Sequence, residues 1–76
     1  MKTPSFERTI NGRVYNFQKM LYGYNMGVSD EAKKRHTFRM RWDAEGKMWL
    51  VEAQAGLPGF IFKDELNIHD AIEEKK

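Results

Sequence analysis

Asn11-Gly12 sits between two runs of alternating apolar and polar residues, FERTI and RVYNF. Both residues tolerate positive φ, so the pair favours a type I′ turn, whose twist suits two antiparallel strands. If Ile10 pairs with Arg13, then Arg8 meets Tyr15 and Phe6 meets Phe17. Paired residues lie on the same side of a sheet, so Phe6, Arg8, Ile10, Arg13, Tyr15 and Phe17 share one face. Glu7, Thr9, Val14 and Asn16 take the other. The first set is the core face, with its two arginines at the rim or laid across it by their alkyl stems.

A second hairpin signal lies in residues 36–53, HTFRMRWDAEGKMWLVEA. Asp43-Ala44-Glu45-Gly46 reads as a type I turn ending in a left-handed glycine, a short loop that pairs Asp43 with Lys47. Trp42 then faces Met48, and Met40 faces Leu50. That register puts Phe38, Met40, Trp42, Met48 and Leu50 on one face. Arg39, Arg41, Trp49 and Val51 fall on the other, with Arg41 directly across from Trp49. A slip of one residue flips a whole strand. The side taken by Trp49 therefore rests on the geometry around Gly46.

Between the hairpins, strand two runs on through Gln18 to Tyr22 as its alternation weakens, and Gly23 marks a bulge or a bend. Tyr24 and Met26 belong to its far end. Residues 27–35, GVSDEAKKR, read as a loop. Pro58-Gly59 ends the sheet. The tail reads as helix from about Lys63 to Glu74, with Ile61, Ile68 and Ile72 on one side and Leu66 off that stripe. An alternative keeps residues 60–63 extended and starts the helix after Asn67. The expected architecture is ββββα, an α+β fold: a four-stranded antiparallel sheet of two hairpins, with a C-terminal helix packed on one face.

Seventy-six residues make one small domain, 1–76, with 1–4 and 75–76 expected to fray. A chain of this size buries only about 60–65% of its unfolded surface. Such thin cores are often supplemented by disulfides, metals or a partner. There is no Cys, and His36 and His69 are far apart in sequence, so disulfide and metal staples are not expected. A second copy or another protein remains as the way to bury more surface. The N-terminus lacks the apolar run of a signal peptide, and no stretch approaches the length of a membrane span. The expectation is a soluble cytoplasmic protein with no cofactor, no metal and no membrane contact.

Catalytic signatures are missing. Nucleophilic chemistry needs Ser, Cys, Thr or Lys beside an oriented base, and Ser5 and Ser29 both fall in turn or terminal positions. Glu65 and His69 stand at i and i+4 on the helix, a spacing that reads as a surface pair. No phosphate loop or metal motif is present. The chain is not expected to be an enzyme.

The charge is uneven. Residues 1–41 carry nine cationic side chains against three acidic ones, and residues 42–76 carry four against eight. Two binding readings follow. In the first, an uncovered sheet face carrying Trp49, Val51 and Val14 meets a protein partner or a second copy of the chain. In the second, Arg39, Arg41 and Trp49, extended by Lys33, Lys34 and Arg35, hold single-stranded nucleic acid by charge and stacking. In element order alone, ββββα is similar to single-stranded-DNA-binding transcriptional-coactivator dimers; no residue motif of that family is matched. The candidate binding face is thus Arg39, Arg41, Trp49, Val51, Lys33, Lys34 and Arg35. Protein association ranks first and nucleic acid second.

Overall fold

The computed structural model describes residues 5–75. The expected fraying of 1–4 and of Lys76 lies outside the described residues. The elements run β1 (Ser5–Ile10), β2 (Arg13–Met20), β3 (Gly23–Ser29), β4 (Arg35–Asp43), β5 (Met48–Val51), α1 (Gly59–Lys63) and α2 (Glu65–Glu74). The strands form one antiparallel sheet in the order β1-β2-β3-β4-β5, each paired with its neighbour in sequence.

The first hairpin has the register that Asn11-Gly12 implies. Ile10 pairs with Arg13, Arg8 with Tyr15 and Phe6 with Phe17. Asn11 and Gly12 both adopt positive φ, 51° and 81°. The core face is also as expected: Ile10, Tyr15 and Phe17 are buried, and the Phe6 and Phe17 rings stack.

The sheet has five strands, not four. Met20 pairs with Gly23, so Leu21-Tyr22 is a two-residue turn and the chain reverses where a bend had been expected. Residues 23–29 then form a new central strand, with Tyr24, Met26 and Val28 buried. The expected loop over 27–35 shrinks to 30–34, tied by Asp30. Its backbone bonds Lys33 and Lys34, and its carboxylate accepts from the Lys34 N–H at 2.9 Å. The resemblance in element order to the coactivator dimers falls with the fourth-strand count.

The second hairpin is one residue out of the expected register. Asp43 pairs with Met48, Trp42 with Trp49, and Met40 with Val51. The left-handed residue is Lys47, φ 54°, rather than Gly46. The Asp43 carboxylate folds over the turn and accepts from the Glu45 N–H at 3.2 Å. A Cβ on Gly46 would stand 2.8 Å from Asp43 Oδ2, the movable end of that side chain. The longer loop flips β5, and Trp49 and Val51 join the core.

The helical tail begins at Gly59, earlier than expected, and is divided at Asp64. Ile61, Ile68, Ala71 and Ile72 are buried against the sheet, while Leu66 is exposed. The sheet curls so that α2 packs along β5 and also reaches β1, its two edges. The helix thereby covers one face and closes the core. Two side chains of α2 satisfy the outer edge of β5: His69 Nδ1 accepts from the Trp49 N–H at 3.0 Å, and Glu65 Oε2 accepts from the Val51 N–H at 2.8 Å. Glu65 and His69 thus serve β5, where the sequence suggested a surface pair. Among the described residues, no helix is long and apolar enough to cross a membrane.

Candidate functional site

The face of the sheet turned away from the helices is set by strand alternation. On β4, Phe38 and Met40 point inward, and Arg35, Thr37, Arg39 and Arg41 stand on the outer side, about 6.7 Å apart in succession. Neighbouring strands add Gly27 beside Thr37, Asn25 beside Arg39, Asn16 beside Gly27, and Gln18 beside Asn25. The result is an open polar groove of about 880 Å³ across β1 to β4.

Gly27 forms part of its floor. A Cβ there would lie 2.2 Å from Arg35 Nη2, so the guanidinium rests on bare backbone. With the Asn16 amide oriented to suit its neighbours, its oxygen accepts from Arg35 Nη2 at 3.0 Å and Nη1 at 3.1 Å. Its nitrogen donates to Glu7 Oε2 at 2.7 Å. Arg35 is therefore held within the sheet face.

Arg39 and Arg41 have a different setting. They wall a second hollow of about 380 Å³, with Met20, Leu21 and Tyr22 of the β2–β3 tip on its other side. Asn25 and Arg39 line both spaces, so the groove and the hollow adjoin. Leu21 is 86% exposed and Tyr22 is 89% exposed. Tight two-residue turns favour Gly, Asn and Asp, as at Asn11-Gly12. A Leu-Tyr pair meets no such backbone need. Lys19 pairs with Tyr24 on the other face of the sheet, its ammonium 5.8 Å from that ring.

The structure brings together Arg39 and Arg41 of the expected binding face, with Arg35 further along the same strand. It corrects Trp49 and Val51: they are 9% and 6% exposed on the inner face, because the β4–β5 loop is one residue longer than expected. Trp49 packs edge-on against Tyr24 and Trp42, at ring separations of 5.2 and 5.3 Å. Lys33 and Lys34 sit in the loop before Arg35, at the opposite end of β4 from the hollow. Val14 is exposed as expected. Leu21 and Tyr22 were missed. Their signal was the loss of alternation in QKMLYGY, which marks the end of a strand as well as a bent one.

A buried polar cluster lies at the other end of the sheet. Asp64, 2% exposed between the helices, accepts from Tyr15 Oη at 2.5 Å and from Asn11 Nδ2 at 2.6 Å. Arg13 Nη1 approaches it at 3.8 Å, and its guanidinium lies 4.0 Å over the Phe60 ring. Burial, then the hydrogen bond and charge of Asp64, push the Tyr15 phenol far above its ordinary value, while Arg13 pulls the other way. Nearby, His36 Nε2 lies 2.9 Å from Asp30 Oδ2. The His36 bond, then the Lys34 and Ala32 N–H groups, hold the Asp30 carboxyl below its usual value. The Asp64 cluster ties the first hairpin to the helices, and the Asp30–His36 pair ties the β3–β4 loop to β4. Among the described residues, no group of three or more His, Asp or Glu side chains is placed to hold a metal ion.

Comparison with family models, with curated proteins and with solved structures finds no match.

Proposed function

We propose that the protein is a small non-enzymatic binding module that docks a protein partner on the β2–β3 tip and the arginine-walled hollow behind it. One observation carries this reading: Leu21 and Tyr22 are almost fully exposed at a turn whose conformation does not call for them. Burying a side chain of that size is worth about 1.5–3 kcal/mol, which folding leaves unused here. Tyr and Arg are the side chains that most often anchor interfaces. Arg39 and Arg41 beside the tip favour an acidic rim on the partner.

Single-stranded nucleic acid on the same face has less support. Trp49, the ring meant to stack on bases, is in the core. Glu7, Asp43 and Glu52 share the outer face with its arginines, which offsets the charge a phosphate backbone needs.

The test compares the wild-type chain with Leu21→Ser/Tyr22→Ser and with Arg39→Glu/Arg41→Glu, each first checked by circular dichroism for an unchanged fold. Proteins retained on immobilised wild type should be lost from both variants, and the loss should repeat with each purified partner. Equal retention by all three chains overturns the reading. So does tight oligonucleotide binding that weakens steeply with salt.

A further inference from the structure

Resting on that reading, we infer that the surface which receives the hairpin tip belongs to a second copy of this chain. The acceptor is the outer side of its own C-terminal helices.

The helical tail buries Ile61, Ile68, Ala71 and Ile72 on one side. On the opposite side, Phe62, Leu66, Asp70 and Glu73 follow one another at spacings of four, four and three, which lines them up along a helix. Asp64, at φ −86° and ψ −1°, divides α1 from α2, so Phe62 stands on the first helix and Leu66, Asp70 and Glu73 on the second. Phe62 is 42% exposed and Leu66 is 60% exposed. Folding leaves a large part of both apolar groups in water.

The molecule thus carries two exposed apolar patches of opposite electrostatic setting. Leu21, Tyr22 and Met20 are flanked by Arg39 and Arg41, with Glu52 as the opposing charge. Phe62 and Leu66 are followed along the tail by Asp70 and Glu73, with Lys63 beside Phe62 and Arg8 across a hollow from Asp70 as the opposing charges. Each patch is small, so the contact is weak and dissociates as salt screens its charges. A hairpin-to-helix contact is heterologous unless both patches engage at once in a two-fold pair; either arrangement satisfies the inference.

Sedimentation equilibrium at low ionic strength tests it with two charge-reversed chains, Arg39→Glu/Arg41→Glu and Asp70→Lys/Glu73→Lys. Wild type should self-associate, and each reversed chain alone should associate at least about tenfold more weakly, a loss of about 1.4 kcal/mol. Mixing the two should restore association, because every hairpin then meets a helix of opposite sign. Should either reversed chain lose the wild-type circular dichroism spectrum, Tyr22→Ser and Leu66→Ser provide neutral exposed variants for the same measurement. A wild-type chain that stays monomeric at high concentration overturns the inference. So does a mixture that fails to recover. Association abolished by the hairpin variants and untouched by the helix variants also removes this acceptor, yet leaves the hairpin reading standing.

Discussion

Asp64 puts a carboxyl group where only 2% of the residue is exposed, and it does so at the point where two helices meet. Tyr15 and Asn11 both donate to it, so the first hairpin is fastened to the helical tail through one side chain. Removing it strands the buried Tyr15 hydroxyl and breaks the bond from the exposed Asn11 amide, whereas removing the phenol hydroxyl leaves the Asn11 bond in place. Asp64→Ala should therefore lower unfolding free energy by about 3 kcal/mol and Tyr15→Phe by about 1–2 kcal/mol. In urea denaturation, the double variant should lose less than the sum. The pH response has two ends. The Tyr15 phenol is raised in the folded state. Its contribution is present below the ordinary tyrosine value of about 10 and is lost as pH climbs beyond it toward the folded value. The Asp30 carboxyl is lowered, so its contribution is present above about pH 4 and is lost as pH falls through that range. Urea midpoints followed across pH should show both losses. Tyr15→Phe should flatten the alkaline limb and Asp30→Asn the acid one.

At the level of elements, the β5 edge is the feature with the clearest consequence. An exposed strand edge offers unpaired N–H groups to any passing chain. Here the Trp49 and Val51 N–H groups donate to His69 and Glu65 of α2. Replacing either acceptor by alanine should cost about 1–3 kcal/mol. Glu65→Ala/His69→Ala should also raise light scattering well below the unfolding temperature. A double variant that stays monodisperse would mean that the bulk of α2 covers the edge without those bonds. These elements also show how much could be read in advance. Asn11-Gly12 specifies its hairpin because both residues supply the positive φ of the turn, a wholly local matter. The β4–β5 loop resisted because Lys47 took the left-handed position and the Asp43 side chain occupied the space over Gly46. Neither follows from composition, and the difference of one residue moved Trp49 from the expected binding face to the core. The Leu21-Tyr22 reversal was hidden because neither residue is a turn former. Arg39 and Arg41 could be placed on one face, since alternation along a single strand holds whatever the register with its neighbours.

The whole molecule depends on its helical tail for closure. The sheet alone would present Tyr15, Phe17, Met26, Val28, Phe38 and Met40 to water, all of them at most 3% exposed in the folded chain. Ile61, Ile68 and Ile72 cover that face and are themselves 0% exposed. At about 2 kcal/mol each, their burial contributes about 6 kcal/mol. A domain of this size has a net stability of only about 4–11 kcal/mol by the usual per-residue range. A chain ended at Leu57 loses all three, and it also loses Asp64 and the two acceptors that satisfy the β5 edge. It should give a collapsed near-UV circular dichroism spectrum and no cooperative thermal transition. Ile68→Ala in the full chain should cost about 3 kcal/mol and keep the transition cooperative. If the shortened chain still melted cooperatively, the five strands would be self-sufficient. The tail would then be an attachment to a stable sheet rather than the lid that makes it fold.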